Sequence, residues 1–152
     1  MKRASLLLLS LGALAAALEL AARLLGHRPT RSRLAPARHL LIYDDACGLC
    51  SFAANLVHMR LSEVDLAGFS QLPREGVLED LDRDAVEASV HLVTPEGVEY
   101  HGGEAVTRLL RLLPGLELVR VLDWPVLRGV REIGYRVVAT QRARVSRLLG
   151  VR

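Results

Sequence analysis

Three observations predict an α/β fold, with a small central mixed sheet flanked by helices, for most of this chain. Short apolar runs of strand length alternate with segments of helical periodicity. Glycine and proline punctuation falls between them, as at Pro95-Glu96-Gly97 and Pro114-Gly115. Two cysteines, Cys47 and Cys50, stand where the first such run passes into the first helical segment. The 152 residues are 51% hydrophobic and 24% charged, which excludes a chain disordered by composition and suits one domain with an appendage.

The appendage is an apolar leader, residues 1–25. Lys2-Arg3 precede an uncharged run from Ala4 to Leu18; Glu19 interrupts it, and Leu20 to Leu25 resume it around Arg23. The clean run of 15 residues is short beside the roughly 20 that a straight spanning helix needs. Three readings stand: an uncleaved membrane anchor, a signal peptide cleaved near Ala13-Leu14-Ala15, or an amphipathic extension. Arg28, Arg31, Arg33 and Arg38 outnumber Lys2 and Arg3, so the positive-inside rule puts a membrane-associated domain on the cytoplasmic side. A secreted or periplasmic domain is the alternative. Residues 26–37, with Pro29 and Pro36 and no periodicity, form the expected linker to a domain over 38–152.

Within that domain, Arg38–Asp44 is a strand candidate. Cys47–Leu61 is a helix, with Leu49, Phe52, Leu56 and Met59 on its apolar stripe and Ser51, Asn55 and His58 elsewhere. Val64–Phe69 is a second strand, and the acidic Arg74–Glu87 a loop with a short helix. Ser89–Thr94 and Val98–His101 pair as a hairpin about Pro95-Glu96-Gly97. Gly102-Gly103 end that strand. A helix then runs over Glu104–Leu113, with Ala105, Val106, Leu109, Leu110 and Leu113 on one face. A long helix from about Leu122 to Leu149 closes the chain on a stripe of Leu127, Val130, Val137, Val138, Val145 and Leu148. Strand, helix, strand, then hairpin and helix is the thioredoxin-like order.

Charge is unevenly spread. Through Arg38 there are seven basic residues against one acid, Glu19; His39 to Arg152 holds 13 basic and 16 acidic. The domain is therefore mildly acidic and only 4% of the chain is aromatic, which argues against a nucleic-acid partner. Two cysteines are also too few for a disulfide-stapled scaffold.

The cysteine spacing carries the chemistry. Residues three apart share a helical face at roughly 5–6 Å, within disulfide range. At the helix N-terminus, unpaired N–H groups and the macrodipole favour an anion at Cys47, and thiolate is the attacking species in thiol-disulfide exchange. Cys47 is the candidate nucleophile and Cys50 the candidate resolving thiol. Asp44, three residues before Cys47, is a candidate proton carrier, and Asp45 a candidate helix cap. A zinc site would need two more ligands, and His27, His39, His58, His91 and His101 show no ligand-type spacing. Two buried structural cysteines are the plainest alternative, against which Gly48 leaves the backbone open between them. Tyr43 is expected as a strand aromatic, His58 and His101 as surface histidines, and Arg128, Arg131, Arg142, Arg144 and Arg147 as a solvated helix face. No cofactor and no metal is expected.

Leu41-Ile42-Tyr43-Asp44-Asp45-Ala46-Cys47-Gly48-Leu49-Cys50 resembles the opening of the DCC family of thiol-disulfide oxidoreductases, named for Asp-x-x-Cys-x-x-Cys after an apolar strand. Asp44, Cys47 and Cys50 match the three eponymous positions. Gly102–Val106 is similar to the family's glycine-containing segment opening the next helix, and Tyr135–Arg142 to its Tyr…Ala…Arg stretch. The resemblance spans residues 39 to 150 and implies a thioredoxin-like fold and protein-disulfide reductase activity. Its partners would be protein or small-molecule disulfides and a thiol reductant. The family usually has glycine where Asp45 stands. Unlike thioredoxin, the chain has Leu49 rather than proline before Cys50, and no proline near Ala88-Ser89. A redox-sensing or interaction module on the same fold is the second reading, and a metal-binding protein using the cysteine pair the third.

Overall fold

Residues 2–25, 29–32, 35–72 and 88–150 are described by the computed structural model of the chain; the expected loop and helix over 74–87 lie outside them. Apolar runs form strands close to where the pattern puts them: β2 at His39–Tyr43, β3 at Val64–Gly68, β4 at His91–Val93 and β5 at Val98–His101. Strand β1, Thr30–Arg31, arises inside the stretch expected as a linker and pairs antiparallel with β5. The sheet order is β1-β5-β4-β2-β3.

Strands β2 and β3 are parallel and so need a crossover, which helix α2, Gly48–Arg60, supplies. β4 runs antiparallel to both β2 and β5, and helix α3, Gly102–Leu110, follows β5 directly. A parallel strand-helix-strand unit beside a hairpin-and-helix unit is the thioredoxin-like arrangement. Leu41, Val64 and Leu92 from the sheet meet Ala54, Leu61, Ala105 and Leu109 in the main core. Ile42 and Val93 point to the other face, against Leu40, Ala67, Phe69 and Leu72.

Helix α2 turns a different face inward from the one its leucines suggest. Ala54 is its buried residue and Val57 packs on the core, whereas Phe52, Leu56 and Met59 are 50%, 44% and 74% exposed. Both faces of this helix are apolar, so periodicity alone cannot choose between them. The small Ala54 side chain permits a close approach to Leu41 and Val64.

The expected single C-terminal helix is two helices, α4 at Pro125–Thr140 and α5 at Arg142–Leu149. A seven-residue 3-10 segment, Glu117–Asp123, leads into α4. Thr140 Oγ1 donates back to the carbonyls of Arg136 and Val137, and Gln141 leaves helical geometry at φ −103, ψ 8. The inward positions of α4 are Gly129, Glu132 and, partly, Tyr135; Val130, Val137, Val138 and Leu148 of the expected stripe are exposed. Nor are the arginines uniformly solvated. The Arg131 side chain, 8% exposed, pairs with Asp123 at 2.9 Å and Glu132 at 2.8 Å.

The segment expected as a leader is helix α1, Lys2–Leu25, which lies along α4. A Cβ on Gly129 would collide with the Leu18 carbonyl, so glycine sets this close approach. Among the described residues, no helix is long and apolar enough to cross a membrane.

The inward face of α2 is open to test by denaturant unfolding. Ala54→Leu should cost roughly 1–3 kcal/mol through overpacking, while Leu56→Ser should stay within about 0.5 kcal/mol. The reverse ranking would place the leucine stripe in the core.

Candidate functional site

Strand β2 ends at Tyr43, and the next four residues form the turn that delivers Cys47 to the start of α2. Asp44 Oδ1 accepts the Ala46 N–H at 3.0 Å, and the Asp44 carbonyl accepts the Cys47 N–H at 3.2 Å. These short-range bonds are the usual work of an aspartate at a turn. The helix cap is Cys47 itself, in extended geometry (φ −94, ψ 112), with its Sγ accepting the Cys50 N–H at 3.3 Å.

Asp45, expected as the cap, does something else. Its carboxylate accepts from both the backbone N–H of Ser70, at 3.0 Å, and the Ser70 hydroxyl. Those bonds hold the Asp45 carboxyl below the usual carboxylate range, the hydroxyl contributing most. The carboxylate lies over the end of β3, where a Cβ on Gly68 would come within 2.8 Å of it. Asp45 thus ties the turn before the cysteines to the loop after β3.

The C-terminal helices complete the surroundings. Ser146 Oγ on α5 accepts the Leu49 N–H at 3.0 Å, satisfying a first-turn donor of α2 that lacks a helical partner. Arg142, at the start of α5, places its guanidinium 3.2 Å from Asp44 Oδ2. On α4, the Tyr135 hydroxyl accepts the Val90 N–H just before β4, at 2.9 Å. Burial raises the Tyr135 phenol, the hydrogen bond from Val90 opposes the shift, and the neighbouring Cys50 adds to it.

Both cysteines are free and half-buried. Burial is the main cause that pushes the Cys50 thiol from 9.0 up to about 12; Cys47 and Asp44 act in the same direction and Arg142 against it. Cys50 therefore holds its proton well above neutral pH. Asp44, Cys47 and Cys50 come together as the spacing suggests, and Arg142 and Tyr135 join them. These two residues bound the Tyr…Ala…Arg stretch whose family resemblance was the available signal. Nothing in the local pattern marks Ser146.

Tyr43 packs against the main core as a strand aromatic should. His58 is exposed, its Nδ1 3.3 Å from the Val64 carbonyl. His101 is not a surface residue: its side chain is 11% exposed, and it lies beside His91 and Glu99 with ring centroids 4.3 Å apart for the two histidines.

Because the folded chain keeps the Cys50 proton where the unfolded chain loses it, stability should fall as pH rises from 9.0 toward about 12. Unfolding midpoints of wild type and Cys50→Ala, compared at about pH 8 and about pH 10.5, check this. Wild type should lose more over that interval. Equal losses would mean that burial does not hold the thiol protonated.

A protein-family model described as DCC1-like thiol-disulfide oxidoreductase matches residues 41–148. No curated protein and no solved structure matches the chain.

Proposed function

The chain belongs to the DCC1-like thiol-disulfide oxidoreductase family, and on that premise we propose that it exchanges disulfides through Cys47 and Cys50 as a protein-disulfide reductase. It is an enzyme of thiol-disulfide exchange. The observation that carries it is the Cys50 N–H aimed at Cys47 Sγ across the first turn of α2. A thiolate at that sulfur accepts a hydrogen bond and lies on the positive end of the helix.

Cys47 thiolate attacks one sulfur of a substrate disulfide. A bond forms between Cys47 and that sulfur, and the other leaves as a thiolate that takes up a proton. Cys50 then loses its proton and attacks Cys47 Sγ, which releases the second substrate thiol. The substrate has gained two electrons, and the Cys47–Cys50 pair is left as a disulfide for an external thiol to reduce. The raised Cys50 thiol makes its deprotonation the demanding step. Asp44 is the nearby carboxylate for that proton, and Arg142 offsets the negative charge that accumulates. Cys47 at the helix N-terminus and the raised thiol of Cys50 one turn further on suit nucleophile and resolving thiol in that order.

The test is turnover of an insulin disulfide with dithiothreitol as reductant. Cys47→Ser should abolish it, and Asp44→Asn should slow it by about 10²-fold, the scale of a general base. Cys50→Ser should accumulate mixed disulfides on Cys47, identifiable by mass spectrometry. A wild-type pair that oxidises and reduces without turnover would favour the redox-sensing module instead. Adducts on Cys50 in a Cys47→Ser chain, with none on Cys47 in the Cys50→Ser chain, would reverse the roles.

A further inference from the structure

A second cluster of chemically active side chains lies on the sheet face that carries Ile42 and Val93, opposite the core under α2 and α3. Register brings it together. The hairpin turns about Pro95-Glu96-Gly97, and His91 on β4 stands directly across from His101 on β5. Glu99, two residues before His101, shares its face. His91 is fully buried and Glu99 is 3% exposed.

His91 Nδ1 lies 2.7 Å from Glu99 Oε1, and His101 Nε2 lies 3.8 Å from the same oxygen. The three ligand atoms fall within 4.8 Å of one another. The first distance is a hydrogen bond; the second is too long for one. Atoms around a tetrahedral zinc ion, each bound at about 2.0–2.1 Å, stand about 3.4 Å apart. The two observed spacings bracket that value, so small shifts of side chains already in place would seat an ion.

The surroundings fit the same use. Ser89 Oγ is 3.2 Å from His91 Nε2, the ring nitrogen away from Glu99, as an outer partner that orients a ligating imidazole is placed. Thr30 on the exposed edge strand β1 brings its hydroxyl 3.3 Å from Glu99 Oε2 and 3.5 Å from His101 Nε2. It supplies a further oxygen on the side where solvent approaches. Two imidazoles and a carboxylate are a nitrogen and oxygen set that zinc accepts.

We propose that His91, Glu99 and His101 bind one zinc ion, a site separate from the cysteine pair. Bound there, the ion would fasten β4 to β5, with Thr30 of β1 at its open side, and stabilise the folded chain by mass action. The sequence hides this site because its residues are related by hairpin register, not by the short helical spacing of common zinc motifs.

The test uses the full chain with Cys47→Ser and Cys50→Ser, which removes thiolates as competing ligands. After chelator treatment, calorimetric titration with Zn²⁺ should give one site per chain, and saturating Zn²⁺ should raise the melting temperature. Glu99→Gln and His101→Gln should each weaken binding by at least about 10-fold. X-ray absorption at the zinc edge of the unsubstituted cluster should show two imidazoles in a nitrogen and oxygen shell, a result that stands even where a glutamine variant fails to fold. No saturable site, affinity unchanged in both glutamine variants, or a shell with fewer than two imidazoles would each overturn the proposal.

Discussion

The Cys50 N–H reaches back 3.3 Å to Cys47 Sγ, so a sulfur, rather than the customary oxygen, caps α2. Much of the site answers to that one contact. It sets the two cysteines on adjoining positions of a single turn. It also directs an otherwise unused backbone donor at the atom proposed to attack, and it gives the two thiols different environments. Burial holds the proton on Cys50, while Cys47 lies at the end of the helix where negative charge is favoured.

That geometry is maintained from three directions. Asp44 and Asp45 brace the turn from β2, one through its own backbone and Arg142, the other through Ser70 beyond β3. Ser146 satisfies the neighbouring donor of α2. Tyr135 anchors Val90 at the entrance to β4, beside the sheet that α2 packs on. The break at Gln141 belongs to this arrangement, because it re-aims the chain so that Arg142 and Ser146 of α5 both reach the turn region. The stretch that matches the family, residues 41–148, spans the positions of these supporting residues as well as the cysteines.

What the sequence made legible follows from which forces are local. Strand positions, the hairpin and the nearness of Cys47 to Cys50 depend on neighbouring residues, and they stand close to expectation. The inward face of α2 did not follow from pattern, because Phe52, Leu56 and Met59 offer as apolar a stripe as Ala54 and Val57; the choice rests on how closely the helix can approach Leu41 and Val64. Arginines look solvated in any sequence, and only the fold sets Arg131 among Asp123, Glu104 and Glu132, or Arg142 against Asp44. Asp45 looks like a helix cap by position, yet Ser70, 25 residues later, claims its carboxylate. Each of these departures is a tertiary contact that local propensity does not encode.

The proposed exchange requires the two thiols to form one reversible redox couple. Equilibrating the full chain in graded mixtures of reduced and oxidised dithiothreitol, then alkylating and weighing it, measures this directly. A two-electron transition is expected between a doubly alkylated chain and an unalkylated monomer whose Cys47 and Cys50 are joined. Two thiols that stay alkylatable across the whole range, or that oxidise only by linking separate chains, would contradict it.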